Sequence, residues 1–222
     1  MNELEINYSS AEAIKSSFTR IAERLFKDYQ LQVNSSYYRL LDIEFYYHAD
    51  SVYEGVYAHK HKAQLECGKW YFHASGIDIT FGNGKNYGGI LIRAIGKISN
   101  KADNSKHFIE KEFHGPITVK TEILSHFHGP FESQQNVLQL LDVSYDRHPA
   151  LMPEPKYIIK TNRVNLSLSK DSDQNFYGAK LRYVIFPRFK LKNKTQIALD
   201  MQQQFPEMTT SEINTQMGSK FL

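Results

Sequence analysis

Apolar residues recur at helical spacing near the start of the chain. Between residues 9 and 29 they fall on one face, which predicts an amphipathic helix that packs against the rest of the fold. Ser9 and Glu12 have the spacing of a capping box and predict where this helix begins. The apolar face consists of Ile14, Phe18, Ile21 and Leu25.

The pattern changes to strand periodicity after this helix. Residues 31–33 and 38–47 predict two strands, with a turn over residues 34–36. Side chains alternate between the two faces of a strand, so Glu44 and Tyr46 share the more polar face of the second strand. The other face of that strand is mostly apolar and is expected to point into the core.

Short strand and helix signals continue to the end of the chain. No shift in composition divides the sequence, so residues 1–222 are expected to form a single domain with both helices and a sheet. The further predicted elements are a strand over 70–81 bent at 75–76, a strand over 88–95, a helix over 131–142, strands over 160–169 and 179–189, and helices over 195–204 and 210–217.

The composition is that of a globular protein. Of its 222 residues 41% are hydrophobic, which is enough for a sizeable core. No apolar run approaches the length of a membrane helix, and the first residues lack the basic start and apolar core of a signal peptide. Cys67, the single cysteine, excludes an internal disulfide and fits a reducing compartment. We therefore expect a cytoplasmic protein with no membrane partner.

Acidic and basic residues are nearly equal in number overall, but they are unevenly distributed along the chain. The net charge of +3 permits a polyanion partner without arguing for one. Residues 156–194, however, hold ten basic residues and two acidic ones. Such a segment suits phosphate binding, although a solvated surface explains it equally well.

Glu44 and Arg93 are the first candidates for chemistry. A carboxylate in an apolar, aromatic strand tends to have a raised pKa, which suits general acid or base catalysis; the alternative is an edge-strand glutamate paired with a lysine. Arg93 ends an apolar strand run, where an arginine is costly unless it meets a carboxylate or a phosphate. An ion pair with Asp42 or Asp78 is the structural alternative for Arg93.

Metal binding by histidines is a second candidate. His59 and His61 are two residues apart, so on a strand their side chains would point the same way, and Glu66 follows them. This is the first half of a cupin-type motif, without its flanking glycines or its second half. A cupin-like metal enzyme that uses these three residues is one alternative function. Glycine-rich nucleotide loops, G-x-S-x-G and C-x-x-C do not occur in the sequence.

Five short motifs follow one another along the chain. Residues 39–46 read R-L-L-D-I-E-F-Y, and residues 68–73 read G-K-W-Y-F-H. Residues 90–95 read I-L-I-R-A-I, residues 162–166 read N-R-V-N-L, and residues 181–184 read L-R-Y-V. In content and order they resemble the alkyladenine (methylpurine) DNA glycosylase family, which has G-R-I-V-E-x-E-A-Y, G-x-L-Y-V-Y, V-L-I-R-A-L, P-R-V-G-I/V and L-R-F-Y at the corresponding places.

The resemblance implies an α+β fold of the alkyladenine-glycosylase type, with a curved, mostly antiparallel sheet and flanking helices. It implies a monomeric DNA-repair enzyme that flips a damaged purine nucleotide out of double-stranded DNA and hydrolyses its N-glycosidic bond. Glu44 would activate the water, and Arg93 would hold Glu44, the water or a phosphate. Tyr46, His59 and His73 would stack on the base, with no metal or cofactor required. The other expected substrate-binding residues are Tyr71 and Asp78.

The chain departs from the family at two positions of the expected site. His73 stands where the family has a pocket tyrosine, and Ser75 stands where the family has the tyrosine that wedges into DNA. With the low net charge, Ser75 favours a second alternative, a non-catalytic protein on the same fold that binds a small molecule or nucleotide. Phosphate contacts give DNA binding a steep salt dependence, so a salt titration separates these functions.

Overall fold

The computed structural model describes residues 4–99, 108–144 and 153–222. Within these ranges a curled antiparallel sheet of nine strands carries four α-helices, which confirms the predicted α+β class. The helices are α1 (Ala11–Lys27), α2 (Pro116–Ser125), α3 (Lys194–Gln204) and α4 (Thr210–Met217). The strands are β1 (Tyr29–Val33), β2 (Ser36–His48), β3 (Cys67–His73), β4 (Gly76–Phe81), β5 (Tyr87–Ile98), β6 (Ile109–His114), β7 (Leu138–Asp142), β8 (Ile159–Thr161) and β9 (Arg182–Val184).

The sheet is organised around β2, its longest strand. β5 pairs along one edge of β2 for most of its length, and β1 and β9 pair along the other edge. The order is β3-β4-β5-β2-β1-β7, while β6 also pairs with β5 and β8 pairs with β9. β5 and β9 therefore bring side chains from the middle and the end of the chain to both edges of β2.

Helix α1 covers the apolar face of β2. Its N-cap is Ser10 and not the predicted Ser9, because the Ser10 hydroxyl accepts the hydrogen bond from the backbone N–H of Ala13. The predicted apolar face of the helix is buried. Within it, the Phe18 ring stacks on Phe45 of β2 with 4.8 Å between the centroids. The prediction that the apolar face of β2 points into the core is therefore confirmed.

A hairpin replaces the single bent strand predicted over residues 70–81. β3 and β4 pair antiparallel and turn at Ala74 and Ser75. A Cβ at Gly76 would lie 2.7 Å from the Cβ of Pro116, the first residue of α2. Glycine at this position lets α2 pack directly against the start of β4.

The helix predicted over residues 131–142 is wrong. Leu138–Asp142 forms β7, which pairs with β1 at the edge of the sheet. Val137, just before it, exchanges hydrogen bonds with Asn34: its N–H donates to Asn34 Oδ1 at 2.7 Å, and its carbonyl accepts from the Asn34 N–H at 2.9 Å. Pairing with the open edge of β1 therefore prevails over helical spacing of apolar residues.

The two strands predicted over 160–169 and 179–189 are much shorter than expected. β8 and β9 contain three residues each, and they pair antiparallel with one another. Much of the remaining sequence forms loops, with a 3-10 helix at Leu168–Lys170. Of these two short strands, β9 also pairs with β2 and so joins this part of the chain to the centre of the sheet.

The helices predicted over 195–204 and 210–217 are confirmed as α3 and α4. Thr209 caps α4, and its hydroxyl accepts a hydrogen bond from the backbone N–H of Glu212. Among the described residues, no helix combines the length and the apolar character needed to cross a membrane.

Candidate active site

Glu44 lies in the middle of β2 with its side chain completely buried. Tyr46, on the same face of the strand, donates a 2.7 Å hydrogen bond from its hydroxyl to Glu44 Oε2. Arg93 Nη1 donates to the same oxygen at 3.4 Å. The backbone N–H of Val164 donates to Oε1 at 2.8 Å. Both carboxylate oxygens are thus bound by groups from three separate parts of the chain.

Arg93 contacts Glu44 as a neighbour in the sheet. Glu44 pairs with Leu91 across β2 and β5, and Arg93 is the next residue of β5 on that face. Its Nε also lies 3.7 Å from Asp42 Oδ2. Arg93 therefore contacts both Glu44 and Asp42, one of the structural partners expected for it.

A second ion pair completes this buried cluster. Arg182 of β9 donates to both oxygens of Asp42, from Nε at 2.9 Å and from Nη2 at 2.7 Å. Its side chain is completely buried. The two carboxylates of Asp42 and Glu44 thus face two guanidinium groups, which is the compensation that buried charges require. Arg182 lies within the motif over residues 181–184, but that motif predicts no role for it.

Burial governs the acid–base properties of Glu44 and Tyr46. Loss of hydration raises the pKa of Glu44, while Arg93 acts to lower it and Asp42 to raise it. Burial and then the Glu44 carboxylate raise the pKa of Tyr46 well above its ordinary value. The phenol therefore stays protonated and donates, and Glu44 is its acceptor.

A cavity of about 550 Å³ lies beside this cluster. Tyr46 and Arg93 form part of its wall, whereas Glu44 lies behind the Tyr46 hydroxyl. The volume is within the range of pockets that bind small ligands. The wall also contains Tyr57, His59, His73, Ser75, Asp78 and Lys170.

Arg163 fixes the Tyr46 ring, and sequence reasoning did not single it out. Its guanidinium carbon lies 4.8 Å from the ring centroid of Tyr46 and 5.2 Å from that of Tyr57, within the range of cation–π contacts. Two of its nitrogens also donate to backbone carbonyls at 3.1 and 2.9 Å. The signal for Arg163 was its place in the motif over residues 162–166.

His73 and Asp78 lie side by side on the β3–β4 hairpin. His73 Nε2 is 3.1 Å from Asp78 Oδ1. Gln64 Nε2 donates to the other carboxylate oxygen, also at 3.1 Å. Gln64 belongs to a 3-10 helix at Lys62–Leu65, and its role had no signal in the sequence. Together the three side chains form a hydrogen-bonded polar part of the cavity wall.

Tyr71 supports His73 and is not part of the cavity wall. Its ring stacks on His73 with 5.1 Å between the centroids and on His61 with 4.7 Å. The predicted substrate-binding residues therefore fall into two groups: Tyr71 lies behind the wall, and the others line the cavity.

His59 lies in the loop before the 3-10 helix, edge-on to His73 with 4.8 Å between the ring centroids. Partial loss of hydration and then the neighbouring His73 lower the pKa of His59, so its imidazole is neutral at neutral pH. One ligand atom each from His59, His73 and Asp78 lie within 4.8 Å of one another. These three residues have the chemistry and the proximity to hold a metal ion.

His61 and Glu66 do not join that group. His61 lies in a loop and not on a strand, and its Nδ1 accepts a hydrogen bond from the backbone N–H of Ala63. Glu66 is exposed, 3.9 Å from the Nζ of Lys69. The described residues therefore bring together a different ligand set from the cupin-like one, because strand periodicity does not apply to residues 59–61.

The basic segment over residues 156–194 is partly internal. Arg163 and Arg182 are buried in and beside the cluster around Glu44. Lys170, in contrast, is exposed and lines the cavity. The local excess of basic residues thus serves the fold as well as the surface.

No protein-family model matches this chain, and no curated protein matches its sequence. The resemblance to the glycosylases therefore depends on the short motifs. Two of these motifs, over residues 39–46 and 90–95, supply Glu44, Tyr46 and Arg93, which are in contact through Glu44.

Proposed function

We propose that this chain is a glycosylase-like hydrolase. It takes a damaged purine nucleotide, flipped out of double-stranded DNA, into the cavity and cleaves its N-glycosidic bond. The observation that carries the proposal is the contact of Glu44 with Tyr46 and Arg93 at the wall of that cavity. An acid with a raised pKa, beside a charged partner and a ligand-sized space, is typical of an active site.

The cavity wall suits a flat aromatic base. Nucleobases taken out of a duplex stack on aromatic and imidazole rings. Tyr46, His59 and His73 all present such rings to the cavity. Arg93 and Asp78 add polar groups of the kind that orient a bound ligand.

Hydrolysis requires a group that takes a proton from water as the water attacks the anomeric carbon. The carbon–nitrogen bond breaks, its electron pair leaves with the purine, and positive charge develops on the sugar. Glu44 has no exposed surface, so we assign the transfer to a relay. Tyr46 takes the proton from the water and passes its own proton to Glu44 Oε2, to which it is already hydrogen-bonded.

Arg93 keeps Glu44 usable as a base. Burial disfavours the ionised carboxylate, and the guanidinium of Arg93 opposes that effect. Until Glu44 accepts the proton, its negative charge also stabilises the positive charge that develops on the sugar.

A phosphate-bearing substrate is supported by the surface beside the cavity. Lys170 is exposed and lines the cavity, and it lies within the basic segment over residues 156–194. Lysine side chains in such a position attract the DNA backbone without reading its sequence.

The test is purine release from an alkylated DNA duplex. Glu44→Gln is expected to release purine roughly 100- to 10,000-fold more slowly than the wild type, with duplex binding retained. Glu110→Gln is the matched control, because Glu110 is an exposed glutamate on β6. Equal release by Glu44→Gln and wild type, or no release by the wild type, would overturn the proposal.

A non-catalytic protein that binds a nucleotide or another small molecule in the same cavity is the second candidate. The observation that favours it is that both oxygens of Glu44 are already bound by protein groups. On this view the charges around Glu44 only stabilise the sheet. Binding of nucleotide without any purine release would support this second candidate.

A further inference from the structure

We propose that His59, His73 and Asp78 bind a divalent transition-metal ion of the zinc type at the wall of the cavity. The three side chains come from a loop and from both strands of the β3–β4 hairpin. Such an ion site goes beyond the proposed hydrolase activity and does not rest on it, since neither Glu44 nor Arg93 belongs to the ligand set.

The spacing of the three ligand atoms is close to what one ion needs. Two donors bound to a tetrahedral zinc ion at about 2.1 Å lie roughly 3.4 Å apart. His73 Nε2 and Asp78 Oδ1, at 3.1 Å, already have about this separation. All three ligand atoms lie within 4.8 Å of one another, so no pair has to close by more than roughly 1.4 Å. His59 is the one ligand that lies in a loop, and we assign this movement to it.

A hydrogen bond to its second carboxylate oxygen fixes the orientation of the Asp78 side chain. Gln64 donates to Oδ2 at 3.1 Å, and both side chains are buried. Gly89 of β5 leaves the room for this pair, because a Cβ there would lie 2.6 Å from both Asp78 Oδ2 and Gln64 Nε2. Hydrogen bonds to the second oxygen of a carboxylate are typical support for a metal ligand.

His73 is held from two sides. Tyr71 stacks on its ring, and Lys120 of α2 donates to its backbone carbonyl at 2.7 Å. The imidazole is 8% exposed, and within the described ranges its buried Nδ1 has no hydrogen-bond partner. The proton can therefore move to Nδ1 when an ion replaces the bond between Nε2 and Asp78.

The donor set selects the class of ion. Magnesium and calcium prefer oxygen donors throughout, whereas two imidazoles and one carboxylate suit zinc and its neighbours. Three protein ligands leave a fourth position, as in zinc sites that bind a water or a substrate. Because His59, His73 and Asp78 all line the cavity, a molecule in the cavity can take that position.

The test is a zinc titration of the full chain after treatment with a chelator, read by competition with a chromophoric zinc indicator. One zinc per chain is expected, and cobalt in its place should give the visible absorption of four-coordinate nitrogen and oxygen ligation. His59→Ala should weaken zinc binding by at least roughly 10-fold. His59 is exposed, so this variant should keep the wild-type circular dichroism spectrum.

Two further variants make the test specific. His128→Ala is the matched control, because His128 contacts Glu132 and lies outside both the ligand set and the cavity wall, and the zinc affinity of this variant should equal that of the wild type. Gln64→Ala should weaken binding roughly 10- to 100-fold by releasing Asp78. The site would be overturned if wild-type zinc binding were no tighter than that of His59→Ala, or if His128→Ala lost as much affinity as His59→Ala. No DNA is present, so either result is independent of purine release.

Discussion

Tyr46 donates its hydroxyl hydrogen to Glu44 over 2.7 Å. Tyr46 lines the cavity, whereas Glu44 has no exposed surface. The tyrosine is therefore the link between the cavity and the buried acid. Arg163, 4.8 Å from the centroid of the ring, keeps Tyr46 in this position.

Tyr46→Phe is expected to lose nearly as much purine release as Glu44→Gln. The change keeps the ring but removes the hydroxyl of the relay, so single-turnover release from an alkylated duplex should fall roughly 100-fold or more. Tyr8→Phe is the matched control, since Tyr8 is an exposed tyrosine outside the cavity wall. Wild-type release by Tyr46→Phe would contradict the relay and indicate that water reaches Glu44 directly.

Arg182→Met is expected to destabilise the fold strongly. It leaves Asp42 without the two hydrogen bonds that compensate its charge. Breaking such a buried pair costs about 3–5 kcal/mol, to be measured as the free energy of unfolding in urea. Lys190→Met, at an exposed position, should change that free energy little. A loss below about 1 kcal/mol in Arg182→Met would mean that the pair behaves like a surface ion pair.

The raised pKa of Glu44 predicts a pH-dependent stability. Burial, opposed by Arg93, makes the folded protein hold this proton more tightly than the unfolded chain does. Stability from this group is therefore highest at acid pH. It falls as the pH rises from the unfolded-state pKa of about 4.3 to the folded-state value, and it is level above that.

The Glu44→Gln variant lacks the titrating carboxyl group, so it serves as the reference for measuring this effect. The unfolding free energy of the wild type minus that of the variant should fall with rising pH, in urea titrations between about pH 4 and pH 8. A difference that grows with pH would show that Arg93 outweighs burial and that the folded-state pKa is lowered.

Duplex binding, if it occurs through phosphates, should weaken steeply with salt. Each neutralised phosphate contributes a slope of roughly 0.9 in a plot of log affinity against log salt. Lys170→Ala should reduce that slope by about one, measured by fluorescence anisotropy with a labelled duplex. Lys15→Ala, at an exposed position of α1, should leave it unchanged. Binding without salt dependence would favour the small-molecule alternative.

Residues on one strand were placed correctly by sequence periodicity. Alternation along β2 put Glu44 and Tyr46 on one face, and their hydroxyl–carboxylate contact follows from that. Charge compensation predicted an anionic partner for Arg93, but it pointed to Asp42 or Asp78. The contact of Arg93 with Glu44 was expected only from the resemblance to the glycosylases.

Sequence periodicity did not predict contacts that depend on the pairing of distant strands or on the course of a loop. Arg182 reaches Asp42 only because β9 pairs with β2 along the edge opposite β5, and a three-residue strand leaves almost no periodic signal. Gln64 lies in a 3-10 helix whose position beside Asp78 is set by tertiary packing. Sequence spacing instead pointed to His61, which the loop turns to cap that 3-10 helix.

Gly89→Ala is expected to weaken zinc binding without touching a ligand. A methyl group there would lie 2.6 Å from Asp78 Oδ2 and from Gln64 Nε2, so the carboxylate must turn or shift away from His73. The zinc affinity should fall roughly 10- to 100-fold, measured by the indicator competition. Gly178→Ala is the control, because a Cβ at Gly178 meets nothing within 4 Å. Wild-type affinity in Gly89→Ala would show that the direction of Asp78 does not matter, and the three-ligand site would lose its main structural support.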